Sequence, residues 1–168
     1  MKKALLIVAL AIVSIATASA QYGTTEPRED YLQAFTRTGQ NITWSRTVET
    51  SRTKTELIAS ATTHITVITI TDNMVIGKIE DLYPGLNAPL SQMRLPWDSS
   101  TLKANVTYEV ADGYYVVKVS NIMYQNDAFG PRYDSIYYTL YNKRGELRAR
   151  ADGDFRYFDN MFCDLLFL

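Results

Sequence analysis

Between Leu102 and Val119 the chain alternates so regularly that one local fold satisfies it. Leu102, Ala104, Val106, Tyr108 and Val110 are apolar, and Lys103, Asn105, Thr107 and Glu109 between them are polar. A period of two puts these sets on opposite faces of a strand. Asp112-Gly113 follows, a pair suited to a two-residue hairpin turn because both residues accept positive φ. Closing the chain there sets Val110 against Tyr115, Tyr108 against Val117 and Val106 against Val119, apolar against apolar on one face. On the other face Glu109 meets Val116 and Thr107 meets Lys118. A slip of one residue would exchange the faces, so the pattern predicts this register.

The neighbouring segments supply more strands for the hairpin to pair with. Ile42, Trp44 and Val48 alternate with Thr43, Ser45, Thr47 and Glu49, and Arg46 interrupts the apolar face. Capping-type residues precede Leu57, Ile58 and Ala61, predicting a short helix within 51–61. The β-branched run after His64 predicts strands over 64–71 and 74–82, reversed at Asp72-Asn73. Three prolines between Tyr83 and Ser100 read as a long loop, and a second loop covers 125–134. A strand is expected over 135–142, with Ile136, Tyr138 and Leu140 on one side. A turn at Lys143-Arg144-Gly145 then leads to a short strand over 146–150. Phe155, Phe158, Phe162 and Leu165 recur at helical spacing, so the C-terminus predicts an amphipathic helix, with Asp152 or Asp154 as its cap. The expected fold is α+β: an antiparallel sheet with one short early helix and a C-terminal helix packed on one face.

The other end of the chain reads as an address. Met1-Lys2-Lys3 is basic, Ala4–Ala16 is almost unbroken apolar sequence, and Thr17-Ala18-Ser19-Ala20 ends in a small-x-small pattern. These are the parts of a cleavable export signal, and the apolar run is shorter than the ~20 residues of a permanent span. Residues 1–20 are therefore expected to be removed after Ala20, placing the protein in the periplasm, at the cell surface or outside the cell. No cysteine stands at the cleavage point to carry a lipid, and no second apolar stretch predicts an anchor. Residues 21–40 read as a loose polar leader and 41–168 as a single domain. Loss of Lys2 and Lys3 takes the formal charge from −1 to −3, so nucleic acid is not an expected partner. Cys163 is the only cysteine, which excludes an internal disulfide, and its apolar neighbours predict a buried thiol.

Three pieces carry a family resemblance: NITWSRTVETSRTKTELIASA, TDNMVIGKIEDLYPG and YEVADGYYVVKVSNIMY. Together they resemble exported bacterial domains of unknown function with a TATA-binding-protein-like fold. Asp112-Gly113-Tyr114-Tyr115 and Asn121-Ile122-Met123-Tyr124 bear most of the likeness, which spans about residues 41–168. The helix segment departs from that pattern in having no aromatic residue near Ser60-Ala61. The resemblance implies an α+β fold and an exported protein, and it assigns no catalytic residue. The fold name does not imply DNA binding, because function belongs to sites.

Chemistry-bearing residues are sparse. His64 is the only histidine, no G-x-S-x-G elbow or glycine-rich phosphate loop occurs, and one histidine with one distant cysteine makes a poor zinc set. Glu80-Asp81 and Asp152 with Asp154 are carboxylate pairs of the kind that cleave glycosides, at spacings that are not diagnostic. Cations are concentrated at Lys143, Arg144, Arg148, Arg150 and Arg156, beside Tyr137, Tyr138, Tyr141 and Tyr157. Such a cluster either grips an anionic partner or forms a solvated face partly neutralised by Glu146, Asp152 and Asp154. The expectation is a non-catalytic domain without cofactor that binds a protein or envelope polymer. Its contacts would be Tyr137, Tyr141, Lys143, Arg144, Arg148 and Arg150. A small carboxylate-dependent hydrolase and a structural envelope component are the alternatives.

Overall fold

The computed structural model describes residues 30–82, 101–126 and 132–168. The expected export signal, residues 21–29 of the expected leader, most of the stretch read as a proline-containing loop and part of that read as a second loop lie outside these. At the centre is the hairpin of β5 (Leu102–Ala111) and β6 (Tyr114–Asn126), turned at Gly113 with φ 86°. All five cross-strand pairs expected from the sequence are present, Val110↔Tyr115 through Val106↔Val119.

Among the described residues seven strands form one antiparallel sheet. On one side of the hairpin lie β4 (Met74–Leu82) and then β3 (Thr66–Thr71), joined at Asp72-Asn73 as expected. On the other side lie β2 (Asn41–Glu49) and then β1 (Phe35–Thr38), and β7 (Arg132–Ser135) also pairs with β6. Trp44, Val48, Val75, Val106, Tyr108, Tyr115 and Val117 are buried on one face. Two helices cover that face: α1 (Lys54–His64), which buries Leu57 and Ala61, and α3 (Ala151–Leu166), which buries Phe155, Phe158, Phe162 and Leu166. Trp44 lies 5.3 Å from Phe162 by ring centroids, joining β2 to α3. The α+β architecture expected from the sequence is the one observed.

Local chemistry fixes where α1 begins. Thr53 accepts from the Glu56 N–H while the Glu56 carboxylate accepts from the Thr53 N–H at 2.9 Å, a reciprocal cap worth about 1 kcal/mol when Thr is replaced by Ala. Lys54 N–H donates to Asp112 Oδ1 at 2.8 Å, so the turn of the central hairpin also anchors the helix start.

Four expectations are corrected. Residues 31–38, expected within the loose leader, belong to the fold: Tyr31–Ala34 is a 3-10 turn, and β1 pairs with β2 from Phe35↔Trp44 to Thr38↔Asn41. The strand expected over 135–142 is the end of β7 followed by a single helical turn, α2 (Tyr137–Leu140), started where Tyr137 N–H donates to Ser135 Oγ at 3.2 Å. The strand expected over 146–150 is one isolated bridge, Tyr141↔Leu147. Neither Asp152 nor Asp154 caps α3. Its N-cap is Arg150, and both aspartates sit in the first turn, where they favour the positive end of the helix dipole.

Candidate functional site

The basic and aromatic residues picked out in the sequence gather where α2 meets the turn that follows it. Tyr137 and Tyr141, one helical turn apart, stack at 4.9 Å with planes 13° apart. Arg37 of β1 closes the stack, its guanidinium carbon 4.3 Å from the Tyr141 ring centroid and 5.1 Å from that of Tyr137. Arg37 Nη1 donates to Gly145 O at 2.9 Å and its Nε to Gly39 O at 2.9 Å. This arginine ties the β1–β2 turn to the basic turn. It lies in the stretch read as leader, and its sequence signal was the alternation Phe35-Thr36-Arg37-Thr38 ahead of Gly39.

The turn itself is held from within. Asn142 Oδ1 accepts from the backbone N–H of Arg144 at 2.8 Å and of Glu146 at 3.1 Å, and Asn142 Nδ2 donates to Glu146 Oε2 at 2.8 Å. Gly145 takes φ 78°, and Arg148 Nε donates to Tyr141 O at 3.1 Å. Lys143, Arg144 and Arg148 are exposed, and none of them is in an ion pair among the described residues. Arg150 differs, approaching the buried Asp154 at 3.9 Å. Tyr137 is buried, so it supports the surface from beneath.

His64 at the end of α1 and the adjacent Glu80 and Asp81 of β4 line one groove of ≈ 580 Å³. His64 Nδ1 lies 2.9 Å from Leu165 O; a carbonyl only accepts, so Nδ1 carries the proton and Nε2 is the basic nitrogen. Glu80 is paired with Lys78 at 2.7 Å, and Asp81 adopts φ 53° at the irregularity between Ile79 and Leu82. The second carboxylate pair is dispersed: Asp154 is buried, whereas Asp152 is exposed, accepts from the Tyr31 hydroxyl and lies 3.8 Å from Arg156. No three His, Cys, Asp or Glu side chains form a metal set among the described residues. Cys163 is buried.

One cluster went unread in the sequence. Asp159, fully buried on α3, accepts from Trp44 Nε1 at 2.7 Å and from Arg46 Nε and Nη2 at 3.0 and 2.9 Å. Arg46 also reaches Asp30 at 2.6 Å. Burial works against the Arg46 charge, but hydrogen bonds and Coulombic attraction from Asp30 and Asp159 outweigh it and hold the guanidinium above its usual range. The interruption of the β2 apolar face by Arg46 is thus matched by an acid within the apolar stripe of α3.

No protein-family model matches the chain, and no curated protein matches it. Among solved structures it is similar to a DUF4468 family protein from Bacteroides ovatus, at 10% identity over 80% of this chain and 88% of that one, with a TM-score of 0.51. It also aligns with a TBP-like protein from Parabacteroides distasonis, at 18% identity over 77% of this chain and 93% of that one, with a TM-score of 0.43. At these identities the likeness is one of fold, and the fold this chain shares is that of an α+β domain of unknown function.

Proposed function

We propose that this chain is an exported, non-catalytic domain that binds a protein or envelope polymer in the periplasm or at the cell surface through the turn after α2. One observation carries the reading: Lys143, Arg144 and Arg148 stand on a turn braced by Asn142 and Arg37, and their charges are not spent on ion pairs within the described residues. A pre-organised cationic surface loses little freedom on docking, and its charge selects an acidic partner. Tagged chain expressed in its own host is expected to co-purify with a stoichiometric envelope component. Replacing Lys143, Arg144 and Arg148 together by Ala should abolish that capture; capture unchanged by the triple substitution would remove this surface from the reading. N-terminal sequencing of the exported protein tests the address, with Gln21 expected as its first residue.

The groove lined by His64, Glu80 and Asp81 supports a second reading, a small carboxylate-dependent hydrolase, because it gathers an imidazole and two carboxylates in one lining. Turnover of any glycoside or ester by the purified chain, lost in Glu80→Gln, would favour hydrolysis over simple binding.

A further inference from the structure

Along one edge of β6 two strands follow each other end to end. β2 pairs with β6 from Glu49↔Tyr114 to Trp44↔Val119, and β7 takes the same edge from Met123↔Ser135 to Asn126↔Arg132, since β5 occupies the other. Between the two partners β6 kinks at Asn121, whose φ is 50°, and Asn121 has no cross-strand partner among the described residues. The unfilled interval is a cavity of ≈ 240 Å³ with the buried Ile42 and Ile122 among its lining.

The lining narrows what can sit there. Asn41 and Asn121 are exposed, and their side-chain amides make no hydrogen bond among the described residues, so each offers both donors and an acceptor. Asp134, the one charged residue of the lining, is paired with Arg132 at 3.2 Å, so the wall carries no unmatched charge to favour an ion over a neutral ligand. Tyr138 contributes an aromatic ring to the lining, on a residue that is 51% exposed. Its ring is fixed by an edge contact with Tyr137 at 5.5 Å and by its hydroxyl donating to Gln40 Oε1 at 3.1 Å. A held aromatic face beside free amides suits a ligand with C–H bonds on one side and hydroxyls around its rim. The size is below that of drug-like pockets, about 300 Å³ and upward, and accommodates one ring.

We propose that this cavity binds one neutral sugar ring, stacked on Tyr138 and hydrogen-bonded by Asn41 and Asn121. The cavity does not include Lys143, Arg144 or Arg148, so its ligand is distinguished from that of the surface proposed above, which it adjoins through the Tyr137–Tyr138 contact.

The test is a ¹H–¹⁵N NMR titration of the exported chain with glucose, galactose, mannose and N-acetylglucosamine, each to about 50 mM. A Kd of about 1 mM is expected for at least one of them, given the affinity available to so few ligand atoms. Saturable shifts should centre on Asn41, Asn121 and Tyr138. Asn121→Gly keeps the positive φ and removes the amide, so it should fold normally and weaken binding about tenfold, the loss of one good hydrogen bond. Tyr138→Ser should weaken it further, while the Lys143, Arg144 and Arg148 triple variant should bind sugar like the parent. No saturation with any of the four sugars, saturable shifts confined to another surface, or unchanged affinity in both Asn121→Gly and Tyr138→Ser would overturn the proposal.

Discussion

Arg46 on β2 and Asp159 on α3 meet as a two-point ion pair beneath the helix, Nε to Oδ1 at 3.0 Å and Nη2 to Oδ2 at 2.9 Å. The aspartate is fully buried and the arginine side chain is 12% exposed. A charge so placed is tolerable only while its partner remains, because the penalty of removing it from water is met by direct contacts. Trp44 adds a third donor to the same carboxylate, so the orientation of α3 on the sheet is set by polar geometry as well as by packing. Arg46 continues outward to Asp30, which fastens the start of the described chain to the same network.

The two acids flanking Arg46 should therefore differ in weight. Asp159→Ala leaves a mostly buried guanidinium with one partner and is expected to cost about 3–5 kcal/mol. Asp30 is 49% exposed, and Asp30→Ala should cost about 1 kcal/mol or less. Urea denaturation of both variants measures the contrast; equal midpoints would show that the buried pair does not hold α3 in place.

This network also marks where sequence reading stops. Alternation made the β5–β6 hairpin legible to the residue pair, because one turn and one buried face specify a register. Arg46 and Asp159 each interrupt an apolar pattern, and only the folded chain shows that the two interruptions meet. Tyr137–Leu140 misled for a different reason. Ile136 and Leu140 fit a strand at spacing two and a helix at spacing four, and four residues are too few to separate the periods. Burial of Tyr137 beside Ile136, Thr139 and Leu140 is the helical pattern, but burial is known only after folding. For the basic turn, Lys143, Arg144 and Arg148 were legible in the sequence but Arg37 was not, because it reaches the turn at Gly145 O from β1, 108 positions earlier.

Two glycines predict opposite signs. A Cβ on Gly77 of β4 would lie 2.5 Å from Thr66 O and 2.7 Å from Ile65 Cδ1, so Gly77→Ala must displace the backbone of β3. A cost of about 1–3 kcal/mol is expected. Gly153, in the first turn of α3, has nothing within 4 Å of its Cβ position. Gly153→Ala should stabilise by about 0.4–1 kcal/mol through the unfolded chain. Thermal melts of the two variants should move in opposite directions.

The α1 cap predicts a local acid response. Glu56 is held below its ordinary 4.5, first by the hydrogen bond from the Thr53 backbone and then by that from the Thr53 hydroxyl. A depressed carboxyl contributes stability that is present above the unfolded value and lost as pH falls through the folded one. NMR titration of the Glu56 carboxyl should therefore give a midpoint under 4.5, and Thr53→Ala should move it part of the way back. Amide exchange in the first turn of α1 should quicken over that interval; a midpoint unmoved by Thr53→Ala would dissociate the cap from the titration.

At the alkaline end the test is Tyr108. Its ring is fully buried between sheet and α3, and its hydroxyl donates to Leu166 O at 3.0 Å. Burial comes first among the causes that raise its pKa, followed by the neighbouring Tyr115, so the folded chain strongly favours the protonated phenol. The sign follows from linkage: this contribution is fully present below the unfolded pKa of about 10 and is lost as pH rises above it. Tyr108→Phe removes the donor and leaves the Leu166 carbonyl without it, at an expected cost of about 1–3 kcal/mol near neutrality. Because the variant cannot ionise there, the gap between parent and variant should narrow from about pH 8 to about pH 11. Urea midpoints of both proteins at the two pH values measure the gap. A constant gap would mean that Tyr108 ionises in the folded chain as readily as in the unfolded one, contrary to its burial against α3.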